Sequence, residues 1–270
     1  MPDYETLLYE TRGPVALVTL NRPEKLKAWT VTMEREFIDA VQTVARDRAL
    51  GVMVVTGAGR GFCAGADISG WDRTMHASGV PGDDDPPMLS QRGSPEVPHA
   101  LMMGKPAIAA INGPAVGVGL TMALACDVRL ASSAARFSAR FVRVGLSPEC
   151  GSTRYLPLVA GFANALYLAL TGRIVDAEEA QRRGLVERVV EPERLLDEVL
   201  ALAEEIASGP GDAVWMTKRM LHQNALEQDL RRVVTLENMA IRELRSLPGH
   251  AEAIRAFMEK REPNFRTSNE

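Results

Sequence analysis

Residues 106–126 read PAIAAINGPAVGVGLTMALAC, 21 positions without a charge. A run of about 20 apolar residues is long enough to cross a bilayer as a helix. Asn112, Pro114 and three glycines interrupt this one, so a buried strand, a glycine turn and a core helix describe it better. The strand is predicted over 108–111 and the helix over 119–125. A second small-residue stretch, residues 57–67 (GAGRGFCAGAD), follows an apolar strand predicted at 52–55. Small residues after buried strands let a ligand approach the backbone, and N–H groups at a turn or helix N-terminus are aimed donors. The same glycines would also serve tight turns and close helix packing.

Working outward, residues 7–12 and the β-branched-rich residues 15–20 flank Gly13-Pro14 and predict a hairpin. Met33, Phe37, Ala40, Val41 and Val44 recur at helical spacing, with Thr30 or Thr32 available as cap, and predict a helix running toward Asp47. Residues 128–131 predict another strand. Asp176 and Glu179 have the spacing of a capping box, and Gly184 closes that helix before an apolar run at 185–190. The chain repeats a strand and helix unit without a fixed-period repeat, which argues for a stacked α/β core rather than a solenoid. Residues 70–98 break the pattern, with prolines at 81, 86, 87, 95 and 98 and an acidic run at Asp83 to Asp85. They are expected to form a mobile excursion from the core.

After Glu191 the pattern is helical only. Leu195, Leu196, Val199, Leu202 and Ile206 form one apolar stripe, and Leu230, Val233, Ile241 and Leu244 another. This divides the chain into a core, residues 1–197, and a C-terminal helical region, residues 198–270. The second is too small for a core of its own and should pack on the first or on a partner subunit.

Composition excludes several classes. The net charge of −4, with 31 scattered Lys and Arg, gives no footprint for nucleic acid. Cys63, Cys126 and Cys150 are far apart and have the pattern of reduced thiols rather than of a disulfide or zinc framework. The histidines at 76, 99, 222 and 250 lack metal-site pairing, and His222 is expected on a helix surface. Asp3 and Glu5 precede any apolar run, the wrong order for a secretory signal, so a cytoplasmic location with no membrane association is expected. A dinucleotide site fails in detail: Cys63 stands where the last glycine of a short-chain dehydrogenase fingerprint belongs, Met122 spoils the second segment, and Val159 stands where Y-x-x-x-K after Tyr155 needs lysine.

Seven motifs in order, NRPEKL at 21–26, GFCAGADI at 61–68, KPAIAAINGPAVGVG at 105–119, CDVRLA at 126–131, GLSPE at 145–149, TGRIVDAEEA at 171–180 and GLVERVV at 184–190, resemble the crotonase superfamily, the enoyl-CoA hydratase and isomerase family. The resemblance implies an α/β fold, a spiral of stacked strand-strand-helix turns with a C-terminal helical trimerisation region. It implies an acyl-CoA thioester substrate, a homotrimer or dimer of trimers, and no cofactor beyond the coenzyme A of the substrate. By motif, the N–H groups of Ala64 and Val118 would form an oxyanion hole. Lys25, Ala28 and the strip Ala64, Gly65, Ala66, Asp67 and Ile68 would contact coenzyme A. The ending AFMEKR at 256–261 matches the adenine-side motif, so Phe257 and Lys260 would reach the coenzyme of a neighbouring subunit. Lys260 could equally be a solvated helix-end charge.

A thioester α-proton is removable once its enolate is stabilised, and one preorganised N–H donor contributes about 3 to 4 kcal/mol. The two glutamates that hydratases of the family use align with Thr121 and Phe141, neither a carboxylate. Glu149 aligns with the catalytic glutamate of enoyl-CoA isomerases, which shuttles a proton between C2 and C4. Its alternative role is a cap or ion-pair partner for the helix that follows. Asp67 is expected to fix its loop rather than act as a base. An isomerase is therefore favoured. The alternatives are a hydratase with a non-standard acid and base set, a non-catalytic acyl-CoA binder, and a scaffold oligomer with a vestigial pocket.

Overall fold

The computed structural model describes residues 2–22, 28–67 and 96–265. Strands β1 (Leu7–Arg12) and β2 (Val15–Leu20) form the predicted antiparallel hairpin, turned at Gly13 in the left-handed region. Helix α1 (Val31–Arg46) starts at Thr30, whose hydroxyl accepts from the Met33 N–H and so decides between the two candidate caps. Then follow β3 (Val52–Gly57), α2 (Glu96–Met103), β4 (Ala107–Ile111), β5 (Ala115–Val116), α3 (Val118–Ala125), β6 (Val128–Ser132) and β7 (Arg136–Ser138). A 3-10 turn at Arg140–Val144 leads to α4 (Ser152–Ala160), α5 (Phe162–Thr171), β8 (Val175–Asp176), α6 (Ala177–Arg182) and β9 (Arg188–Val190). Helices α7 (Leu195–Ala207), α8 (Gly211–Asn224), α9 (Leu230–Arg245) and α10 (Pro248–Glu259) complete the chain.

Helix α2 corrects the reading of residues 70–98 as a single excursion. Residues 96–98 are helical, because Pro98 falls in the first turn, where its missing N–H leaves no bond unmade. Residues 68–95, with Asp83 to Asp85, lie outside the described residues. The capping box is half formed: the Asp176 carboxylate accepts from the Glu179 N–H at 2.8 Å, but the Glu179 carboxylate turns to Arg183 instead.

The main sheet runs β1-β2-β3-β4-β6-β9, parallel except at the hairpin, and a small sheet β5-β7-β8 packs beyond it. Parallel strands covered on both faces read as continuous apolar runs, which is what residues 15–18, 52–55 and 107–111 show. Ala16, Val18, Leu20, Met53 and Val55 point to the core shared with Phe37 of α1 and Leu124 of α3. Val15, Leu17, Val52, Val54 and Ile108 point the other way, onto Leu195, Val199 and Ala203 of α7. Residues 197 and 198 thus lie within one helix, and that helix closes the back of the sheet.

Helix α8 is fastened to the core through Asp127, at the start of the CDVRLA segment. Its carboxylate accepts from the Ala107 N–H at 2.7 Å and from the Lys218 ammonium at 2.8 Å, and lies 3.1 Å from His222 Nε2. The Lys218 ammonium also donates to the carbonyls of Leu101 and Lys105, which satisfies a buried cation with three acceptors. His222 is therefore half-buried and paired, not the surface residue expected. Burial alone would push the Asp127 carboxyl up, but the His222 contact and the Lys218 charge outweigh it and hold it below the usual range. The stability it confers is present above the unfolded carboxylate value and is lost as pH falls through the lower folded one.

Candidate active site

The two glycine segments meet. The Cys63 N–H donates to the Pro114 carbonyl at 3.0 Å, and the Val116 N–H donates back to the Cys63 carbonyl at 3.0 Å, so residues 63–66 and 114–119 run side by side. Close approach depends on Gly119, where a Cβ would lie 2.2 Å from the Cys63 carbonyl oxygen. Gly65 has φ +111 and Gly117 has φ +55, conformations that other residues rarely adopt. Val118 is the first residue of α3, so its N–H has no intrahelical acceptor. No acceptor among the described residues takes the N–H of Ala64 or of Val118.

The strip beyond Ala64 is ordered by Trp29. Its N–H donates to the Gly65 carbonyl at 2.8 Å, and its carbonyl accepts from the Asp67 N–H at 3.0 Å, pairing Trp29 with Ala66. Arg22 clamps both edges, donating to the Ala28 carbonyl and meeting the Asp67 carboxylate at 3.1 Å with both side chains mostly buried. Asp67 is thus held by a cation, in keeping with a role in fixing the loop. Lys25 and Ile68 lie outside the described residues. Sequence reading did not assign Arg22 or Trp29 a role, because nothing local marks a pairing between residues 22 and 67. Asp67→Ala is expected to raise the KM for acyl-CoA about fivefold with kcat nearly unchanged, from the loss of one partly buried ion pair of about 1 kcal/mol. Steady-state kinetics checks this.

Glu149 follows the 3-10 turn and precedes α4, and its carbonyl accepts from the Ser152 N–H at 2.9 Å. Its side chain is half-buried, and burial, reinforced by the negative charge of Glu34 in the first turn of α1, raises its pKa above the ordinary carboxylate value. A carboxylate so tuned can take and return a proton nearer neutral pH. Glu34 is four residues from Thr30 and five from Trp29, so the same helix start serves both the strip and Glu149. The next residue, Cys150, has φ +53, and burial together with Glu149 pushes its thiol up to about 12, which keeps it from acting as a thiolate.

The two positions that lack glutamates are filled differently. Thr121 is 1% exposed, and its hydroxyl donates to the Gly117 carbonyl at 3.3 Å. Phe141 is buried with its ring against Gly117, an apolar wall beside the turn that carries Val118. Neither brings a proton donor or acceptor with an accessible pKa.

Phe257 and Lys260 lie at the end of α10, which packs on α8 and α9. Phe257 is 80% exposed. Lys260 caps the helix in the left-handed conformation, its N–H donating to the Ala256 and Phe257 carbonyls. Arg261 folds back onto Glu252, fixing this end. No group of three or more metal-ligating side chains occurs among the described residues.

Residues 10–268 match the protein family described as enoyl-CoA hydratase/isomerase. A Rhizobium meliloti protein named "Probable enoyl-CoA hydratase" is 38% identical, over 97% of this chain and 98% of its own length. The 1,2-epoxyphenylacetyl-CoA isomerase of Escherichia coli K12 is 35% identical over 97% of this chain and 98% of its own. Among solved structures, enoyl-CoA hydratase subunit I of Geobacillus kaustophilus HTA426 superposes with a TM-score of 0.86 at 34% identity, covering 98% of this chain and 99% of that one.

Proposed function

This chain belongs to the enoyl-CoA hydratase/isomerase family, and from that premise we propose that it is a cytoplasmic enoyl-CoA isomerase, moving a double bond along an acyl chain held as its coenzyme A thioester. The observation that carries the reading is the distribution of carboxylates. Thr121 and Phe141 leave the hydratase pair without an acid or base, while Glu149 is half-buried with a raised pKa. The N–H groups of Ala64 and Val118 would receive the thioester oxygen as negative charge develops on it. Glu149 would take the proton from C2 and return it to C4, or the reverse. Coenzyme A would lie along Lys25, Ala28 and the strip from Ala64 to Ile68.

Hydration is the second reading, favoured by the relatives whose names say hydratase. Supplying 2-enoyl-CoA and 3-enoyl-CoA separately, and following hydration and migration in parallel, decides between them. The isomerase reading expects migration to exceed hydration. Fast hydration of 2-enoyl-CoA without migration overturns it.

Two further outcomes are expected. Calorimetry should find binding of acetyl-CoA and none of acetate, and equal affinity for both would remove the coenzyme assignment. Sedimentation at micromolar concentration should show trimers or hexamers and no stable monomer. The support is apolar surface on α5, α9 and α10, including Phe162, Leu170, Leu230, Met239 and Met258, more than a water-facing helix normally carries. In such an assembly Phe257 and Lys260 would meet the coenzyme of a neighbour, and a fully active monomer would exclude that role.

A further inference from the structure

A cavity of about 610 Å³ opens between α2, α4 and α8; its lining includes Gly151 but neither Glu149 nor any residue of 63–67 or 114–119. Its walls divide by chemistry. Pro98, Met102, Met103 and the buried ring of Tyr155 supply an apolar lining, while Arg154 and Arg219 supply guanidinium groups, with His99 and His222 beside them. Among the described residues, no Asp or Glu lines it. No carboxylate among the described residues forms an ion pair with Arg154 or Arg219, in a protein whose net charge is −4. Arg154 is placed at 3.5 Å from the His222 carbonyl, and the guanidinium carbon of Arg219 lies over the Trp215 ring, 4.6 Å from its centre. Trp215 is itself held, its Nε1–H donating to the Met103 carbonyl at 3.2 Å. Asp127, which pairs with His222, is already engaged by Lys218.

We propose that this cavity binds a small amphipathic carboxylate, such as a medium-chain fatty acid anion, at a site separate from the thioester site. A planar guanidinium presents paired donors that match a carboxylate, and the contact with Trp215 holds one of them in place before any ligand arrives. Two cations with no carboxylate partner among the described residues raise the local concentration of anions, and the apolar walls favour an anion with an alkyl body over a fully hydrated one. The methionines are unbranched and flexible, so the lining accommodates a chain rather than one rigid shape. Because Gly151 and Tyr155 form one wall, an occupant would rest against the first turn of the helix that follows Glu149.

The test is calorimetry of the full chain with octanoate, octan-1-ol, acetate and inorganic phosphate, each in the presence of saturating coenzyme A. Octanoate is expected to bind saturably at one site per chain, with the other three at least about tenfold weaker. The double variant Arg154→Gln/Arg219→Gln should weaken octanoate at least about tenfold while leaving coenzyme A affinity unchanged. Met102→Ser should weaken octanoate. Octanoate should also change the emission of Trp215, and Trp215→Phe should remove that change. Equal binding of octan-1-ol means an apolar groove only, and equal binding of phosphate means a general anion patch; either overturns the proposal. So does octanoate binding that is absent, unaffected by the double variant, or displaced by acyl-CoA in simple competition.

Discussion

Glu149→Gln is expected to lower the rate of double-bond migration at least about 100-fold, the usual worth of a general base. The amide keeps the size and the hydrogen-bonding capacity of the carboxylate and removes only its ability to hold a proton in transit. If the N–H groups at Ala64 and Val118 bind thioester as before, KM should change little and the loss should fall on kcat. The wild-type rate should rise with pH through the elevated pKa of Glu149, and that limb should vanish in the variant. The same substitution should stabilise the fold. Burial and Glu34 raise the folded pKa of Glu149 above its unfolded value, so the unfolded chain releases its proton first. The wild type therefore loses stability as pH rises from the unfolded value through the folded one, and the cost is fully present above both. A thermal melt at neutral pH should place the glutamine variant above the wild type. Full isomerase activity in the variant, or an unchanged pH profile, would sink the mechanism.

The second large effect is expected at Gly119. A Cβ there would lie 2.2 Å from the Cys63 carbonyl oxygen and 2.7 Å from the Cys63 side chain, and Cys63 is fully buried. Cys63 cannot easily retreat, because its N–H and carbonyl are bonded to Pro114 and Val116. Gly119→Ala must therefore push residues 63–66 away from 116–119. Overpacking of this kind costs about 1 to 3 kcal/mol, several degrees of Tm for a chain this size. On the proposed mechanism turnover should fall further than stability, because moving one of the two proposed donors by about 1 Å can cost about 100-fold. A thermal melt read beside kcat checks both parts. Wild-type turnover in a normally folded Gly119→Ala protein would mean that the two segments need not meet for catalysis.

What the sequence made legible is what local pattern carries. The apolar, β-branched runs at 15–20 and 52–55 and the stripe from Met33 to Val44 gave the strands and α1 nearly to the residue, and the motifs singled out the two glycine segments that the fold brings side by side. Four features were not legible. Arg22 reaches Asp67 across 45 positions, and no periodicity in either segment records that pairing. Glu34 sits close enough to Glu149 to act on its charge, which depends on how α1 lies against the loop before α4. His222 looked like a surface residue because its helix is polar, whereas its partner Asp127 belongs to a strand start 95 positions away. Helix α2 was obscured by a proline that its first turn tolerates.

The packing of α7 on the back of the sheet also bears on how the chain is made. Strands β2 and β3 leave the ribosome early, but Leu195, Val199 and Ala203, which cover Val15, Leu17, Val52 and Val54, come about 150 residues later. At bacterial and eukaryotic elongation rates that is an interval of roughly 10 to 30 s. Throughout it, one face of the nascent sheet has no cover from its own chain. The protein therefore depends during synthesis on whatever shields apolar strands at the tunnel exit, and a chain that stops before α7 would be a target for chaperones and proteases even with both glycine segments and Glu149 complete.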